Sequence, residues 1–273
     1  MISRPLVKFV LTAAFRDKLL LTLLLMIVTG AAIAVFLGSA TITEKESFAL
    51  VFGASGLRFL GVIGIVLFCC FYTRRCFETK EVEFLLSRPL SRLTFLVSHA
   101  FAFILLAVCV AAAVSLAVFF LGRPQAGGLA LWALSIAVEF GIMASASLFF
   151  SMVLSSASGS ALAALGLYVL ARLVGMLLGI AYKAPDNMYY AALNHTMEAI
   201  SVFVPRLDLM GQTSWLVYGV TGSGGIAYVE NAGRLAHSLV ETLGLGGFMA
   251  AQGLLSIALL LSASAFDFLR REF

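Results

Sequence analysis

Six apolar runs, each near the ~20 residues that a helix needs to cross a bilayer, constrain this chain more than any other feature. They are read as spans from Leu19 to Leu37, Gly53 to Tyr72, Phe95 to Leu121, Leu129 to Leu154, Ala161 to Ala181 and Gly246 to Phe266. Of the 273 residues, 62% are hydrophobic and 12% charged, against roughly a quarter charged in an ordinary soluble domain. A water-soluble globule of this size could not hide so much apolar surface. The expected fold class is therefore all-α integral membrane, with residues 1–273 forming a single transmembrane domain.

The connecting segments set an expected orientation, because lysine and arginine are retained on the cytoplasmic side. Arg4, Lys8, Arg16, Lys18, Arg74, Arg75, Lys80, Arg88, Arg92, Arg270 and Arg271 fall on one side of the predicted membrane. Lys45, Arg123, Lys183, Arg206 and Arg234 fall on the other. This asymmetry places both termini in the cytoplasm, and the expected location is a plasma (bacterial inner) membrane that the chain crosses several times. The asymmetry also accounts for the formal charge of +4 without a nucleic-acid partner. Between Arg4 and Lys18 basic and apolar residues alternate, as in a helix lying in the interface. The basic-then-apolar start resembles a signal peptide, but the run is of spanning length and reads as a retained first helix.

Several chemistries lack their residues. Cys69, Cys70, Cys76 and Cys109 lie in or beside apolar segments without zinc-ligand spacing. His99, His195 and His237 are far apart in sequence, and no His-Glu-x-x-His metal motif occurs. Ser158 would need a histidine at its own depth to act as an intramembrane nucleophile, and neither His195 nor His237 lies in a span. There is no Gly-x-x-x-x-Gly-Lys-Ser/Thr loop to cradle nucleotide phosphates. The chain is thus expected to be no enzyme and to carry no cofactor of its own.

Two connections are long enough to carry function. Between Tyr182 and Leu245 the loop is semi-apolar and glycine-rich, with helical stretches at Asn187 to Val204 and Asn231 to Leu243 around Gly222, Gly224 and Gly225. So little charge predicts an extracytoplasmic segment that packs on the bilayer or partly re-enters it before the last span. Between the second and third spans, Glu78 to Arg92 is dense in charge. Val82, Leu85 and Leu86 share one helical face there, with Glu78, Lys80 and Glu81 elsewhere, and Pro89 ends the helix. An amphipathic cytoplasmic helix of this kind gives a soluble partner something to push on.

This stretch resembles the permease subunits of ABC-2-type transporters, in which the segment after the second span often reads Glu, a few residues, then Leu-Leu-Ser-x-Pro-x-Ser-Arg. The matching residues are Glu83, Leu85, Leu86, Ser87, Pro89, Ser91 and Arg92. Many members carry Gly-Thr upstream, where this chain has Lys80-Glu81. The resemblance implies an N-terminal elbow helix, six spans, and a coupling helix that docks into a groove of a separate ATPase subunit. ATP would then be bound by that partner, and a second permease copy, identical or similar, would complete the pathway. It also implies export. An ion-coupled carrier or a non-transporting scaffold is the reading from another class.

Ionisable residues at bilayer depth are costly and point to function. Glu139 in the fourth span and Arg172 in the fifth lie about 22 and 16 Å from the cytoplasmic ends of their helices, at about 1.5 Å per residue. Two readings stay open for them, a pair that ties neighbouring helices and a contact to substrate. Arg58, near the outer end of its span, is expected to snorkel.

Overall fold

The computed structural model describes residues 2–16, 18–41, 44–79, 81, 91–183, 196, 204–219 and 234–270. The helices are α1 (Arg4–Arg16), α2 (Lys18–Ser39), α3 (Lys45–Glu78), α4 (Arg92–Leu121), α5 (Ala126–Val153), α6 (Ala157–Lys183), α7 (Ser214–Tyr218) and α8 (Arg234–Arg270), with a 3-10 turn at Leu207–Leu209. Among the described residues no strand occurs. Six helices, α2 to α6 and α8, are long and apolar enough to cross a membrane, as the sequence predicts.

Capping residues fix where these helices begin. The Ser91 side chain accepts a hydrogen bond from the Thr94 amide at 3.2 Å at the head of α4, and Ser156 accepts one from the Gly159 amide at 2.9 Å at the head of α6. Both satisfy donors that a helix start leaves without an intrahelical partner. Inside α5, the hydroxyls of Ser145, Ser147 and Ser151 donate back to carbonyls four residues earlier, which lets polar side chains sit in an apolar core.

Helix α5 is the centre of the bundle. It packs against α3, α4, α6, α7 and α8, and Trp132, Ile136, Phe140, Ile142, Met143 and Leu148 along it are fully buried. By contrast α2 and α4 turn large apolar side chains outward, among them Leu21, Leu25, Val28, Phe36, Leu116 and Phe120. Outward-facing apolar residues suit contact with lipid. Close helix approach depends on glycine where a Cβ would strike the neighbour: at Gly61 it would meet the Phe140 ring, and at Gly64 the Leu23 side chain.

The ends of the bundle differ. Helix α1 lies against the beginning of α4, with the Ser3 amide donating to Ser98 Oγ at 2.9 Å. Phe268, near the end of α8, stacks on Phe95 at the same end. At the opposite end, α7 sits on the first turn of α5: the Gln125 amide donates to the Leu216 carbonyl at 3.2 Å, and Gly128 leaves room for the Trp215 carbonyl. The predicted stretch from Asn187 to Val204 lies outside the described residues except at Thr196 and Val204. The expected helix at Asn231 to Leu243 is described from Arg234, and Gly244, with φ 71° and ψ 163°, separates it from the last span.

Candidate functional site

Half-way along the bundle, three spans and one loop bring their ionisable side chains together. Arg58 comes from α3, Glu139 from α5, Arg172 from α6, and Arg206 and Asp208 from the loop that holds the 3-10 turn. Arg58 and Glu139, respectively 3% and 0% exposed, form an ion pair through Nη2 and Oε2. The other terminal nitrogen of Arg58 donates to the Gly211 carbonyl at 3.0 Å. One guanidinium thereby ties α3 to both α5 and the loop.

A direct pair of Glu139 with Arg172, one of the two readings left open, is not what the described contacts show. Glu139 is engaged by Arg58, and Arg172 Nη1 donates to the carbonyls of Leu207 at 2.7 Å and Met210 at 3.2 Å. Arg58 does not snorkel either. Its helix begins at Lys45, well before the apolar run, so Arg58 lies deep in the helix and faces its neighbours.

The loop is built to fit this place. Leu207, Leu209 and Met210 are buried, which anchors its apolar side. Within it, Arg206 Nε and Nη2 donate to the two carboxylate oxygens of Asp208, each at 2.9 Å, a bidentate pairing that neutralises a buried acid. Asp208 comes so close to α6 that a Cβ on Gly175 would strike its carboxylate. Gly211 has φ +63°, a left-handed conformation that favours glycine, and its amide donates to Ser135 Oγ at 3.0 Å. Ser135 in turn donates to the Trp132 carbonyl at 2.7 Å.

Between α3, α6 and the loop lies a cavity of about 470 Å³ whose walls include Arg58, Phe59, Tyr168, Arg172, Asp208 and Gln212. Tyr168 shares the cavity wall with Arg58 and Arg172, and its ring lies 6.0 Å from the Arg172 guanidinium carbon. No cluster of three His, Cys, Asp or Glu side chains forms among the described residues. The cavity is lined with hydrogen-bonding groups and suits a polar organic ligand.

The expected coupling residues divide differently. Glu78 closes α3, Ser91 caps α4, and Arg92 is the first residue of α4. Val82, Glu83, Leu85, Leu86, Ser87 and Pro89 lie outside the described residues. Sequence reasoning missed Arg58 as the partner of Glu139, and it missed Tyr168, Arg206, Asp208 and Gly211. One signal was available for the loop: Arg206 and Asp208 stand two apart, directly after Pro205, in a segment otherwise almost free of charge.

A bundle of six apolar helices with a buried ion pair and a polar cavity at mid-length defines a polytopic helical membrane protein. Residues 77–273 match the family model described as ABC-2 family transporter protein, and the chain belongs to that family. It is a membrane-spanning permease of an ATP-binding-cassette transporter, a family whose members generally work with an ABC ATPase subunit. No curated protein matches the chain.

Proposed function

We propose that this permease is an exporter subunit of a bacterial inner membrane, with both termini in the cytoplasm. Separate ATPase subunits dock on the segment from Glu78 to Arg92, where they bind ATP, and a second permease copy completes the pathway. Val82, Leu85 and Leu86 give the docking segment an apolar face, and Glu83 and Arg92 give it a charged rim that sets orientation. ATP binding closes the ATPases and moves the segment.

The observation that carries this reading is the continuity of α3. It runs unbroken from Lys45 to Glu78, 34 residues, or about 50 Å at 1.5 Å per residue. Arg58, the residue that grips both Glu139 and the loop, belongs to the same rod as Glu78, where the docking segment begins. A displacement at Glu78 therefore reaches the buried polar site without a hinge in between. Close packing of α3 on α5 passes it to the centre of the bundle.

Copurification tests the proposal. The tagged chain should bring down an ATPase with a phosphate-binding loop; Leu85→Asp should abolish that association, and Arg92→Ala should weaken it less. Both variants should still insert in the membrane, because neither change disturbs an apolar run. A Leu85→Asp chain that retains its ATPase and supports hydrolysis would overturn the docking role.

A further inference from the structure

We propose that the cavity between α3, α6 and the loop binds an organic anion, with Arg172 on its acidic group and Phe59 and Tyr168 against its apolar body. This inference deepens the export reading and rests on it, since it names the chemical class of the transported molecule.

The charge balance of the site carries the argument. Arg58 is matched by Glu139, and Arg206 by both oxygens of Asp208. Arg172 has no carboxylate partner among the described residues. It is half-buried and spends only Nη1 on the Leu207 and Met210 carbonyls. A guanidinium has five donors in a fixed fork, so Nε and Nη2 are left for a ligand. Counting Arg58, Glu139, Arg172, Arg206 and Asp208, with Tyr168 neutral, the site carries one net positive charge. A cation inside a membrane domain is costly until an anion offsets it, and a carboxylate, sulfonate or phosphate fits the fork in two-point fashion.

Size and shape agree. A cavity of about 470 Å³ lies in the range that small-molecule sites occupy, about 300 to 1,000 Å³. Phe59 and Tyr168 form one wall, with ring centroids 6.3 Å apart, and supply apolar area next to the charge. Asp208 also faces the cavity, yet its oxygens are already taken by Arg206, which removes its repulsion of an incoming anion.

The test uses the purified full chain in phosphatidylcholine nanodiscs and two fluorescent probes of matched shape, dansylglycine and its neutral counterpart dansylglycinamide. The wild type should bind dansylglycine at least about tenfold more tightly than dansylglycinamide. Arg172→Gln should erase the preference, and Arg172→Lys should keep part of it. A second arm does not depend on replacing Arg172: Thr213→Cys in a Cys109→Ser background, once blocked by a bulky maleimide at the cavity wall, should lose dansylglycine binding. Equal affinity of the wild type for both probes would overturn the proposal, as would an anion preference that survives either Arg172→Gln or the blocked cysteine. No ATPase is present in this measurement. A chain that recruits its ATPase but lacks the preference refutes the anion site alone, and a chain with the preference but no ATPase refutes the docking reading alone.

Discussion

Arg58 and Glu139 occupy matching places on two parallel helices: each lies thirteen residues beyond the first residue of its helix, Lys45 in α3 and Ala126 in α5. Both helices start at the same end of the bundle, so equal offsets put the two side chains at one level, where they form an ion pair. The pair is nearly inaccessible to solvent. Its net worth against an apolar replacement is small, but removal of one partner strands a buried charge, at a cost of about 3 to 5 kcal/mol.

A double-mutant cycle should show that asymmetry. Glu139→Gln alone and Arg58→Gln alone should each lower unfolding stability by about 3 to 5 kcal/mol, and the double variant should lose clearly less than the sum of the two. The coupling should exceed about 1 kcal/mol, as expected for residues in one network. The corresponding cycle for Glu139 and Arg172 should be close to additive, because Arg172 binds loop carbonyls. Thermal unfolding of purified protein measures both cycles, and strong coupling in the second with none in the first would refute the pairing described here.

The sequence reading reached the spans but not this pair, for a physical reason. Hydropathy locates the apolar part of a helix, and α3 begins eight residues before Gly53, where that apolar part starts. Measured from Gly53, Arg58 looked peripheral; measured from Lys45, it is as deep as Glu139. The polar first turn, with Lys45 and Glu46, concealed the true start. Arg172 was legible as an ionisable residue at depth, but its partners are backbone carbonyls of a loop, and no residue type announces a carbonyl contact. Gly175 and Gly211 share that difficulty, since their value lies in what a side chain would strike.

Those two glycines yield a second prediction. Gly211→Ala places a Cβ against the Arg58 guanidinium at a residue with φ +63°, and Gly175→Ala places one against the Asp208 carboxylate. Each should cost about 1 to 3 kcal/mol and loosen the loop. Gly166, in the same helix as Gly175, has open space around a built Cβ. Gly166→Ala should therefore be neutral or stabilising by up to about 1 kcal/mol, because alanine is the better helix former. Unfolding midpoints of the three variants compare them directly.

Topology is a third prediction and follows from the distribution of lysine and arginine. With the termini in the cytoplasm, single cysteines at Ser47 and Asn194 should react with an impermeant thiol reagent applied to intact cells. One at Ser87 should react only after the membrane is opened. Labelling of Ser87 in intact cells would reverse the orientation and, with it, the side on which an ATPase could dock.

The last prediction concerns the break in α8. Gly244 has φ 71° and ψ 163°, a region that residues with a Cβ avoid at a cost of about 1 to 3 kcal/mol. A Cβ built there would meet no neighbour within 4 Å, so the penalty is conformational and not steric. Gly244→Ala should thus drive the backbone toward ordinary helical angles and join Arg234–Leu243 to the span in one continuous rod. Spin labels on the exposed residues Leu239 and Leu254 report the change. Fifteen residues of straight helix span about 22 Å at 1.5 Å per residue, and the native break should hold the labels at a different separation. In Gly244→Ala the distance distribution should move toward the straight-helix value, with some loss of stability where packing of Phe248 and Met249 resists the realignment. An unchanged distance together with unchanged stability would mean that Gly244 does not set the angle between the two parts of α8.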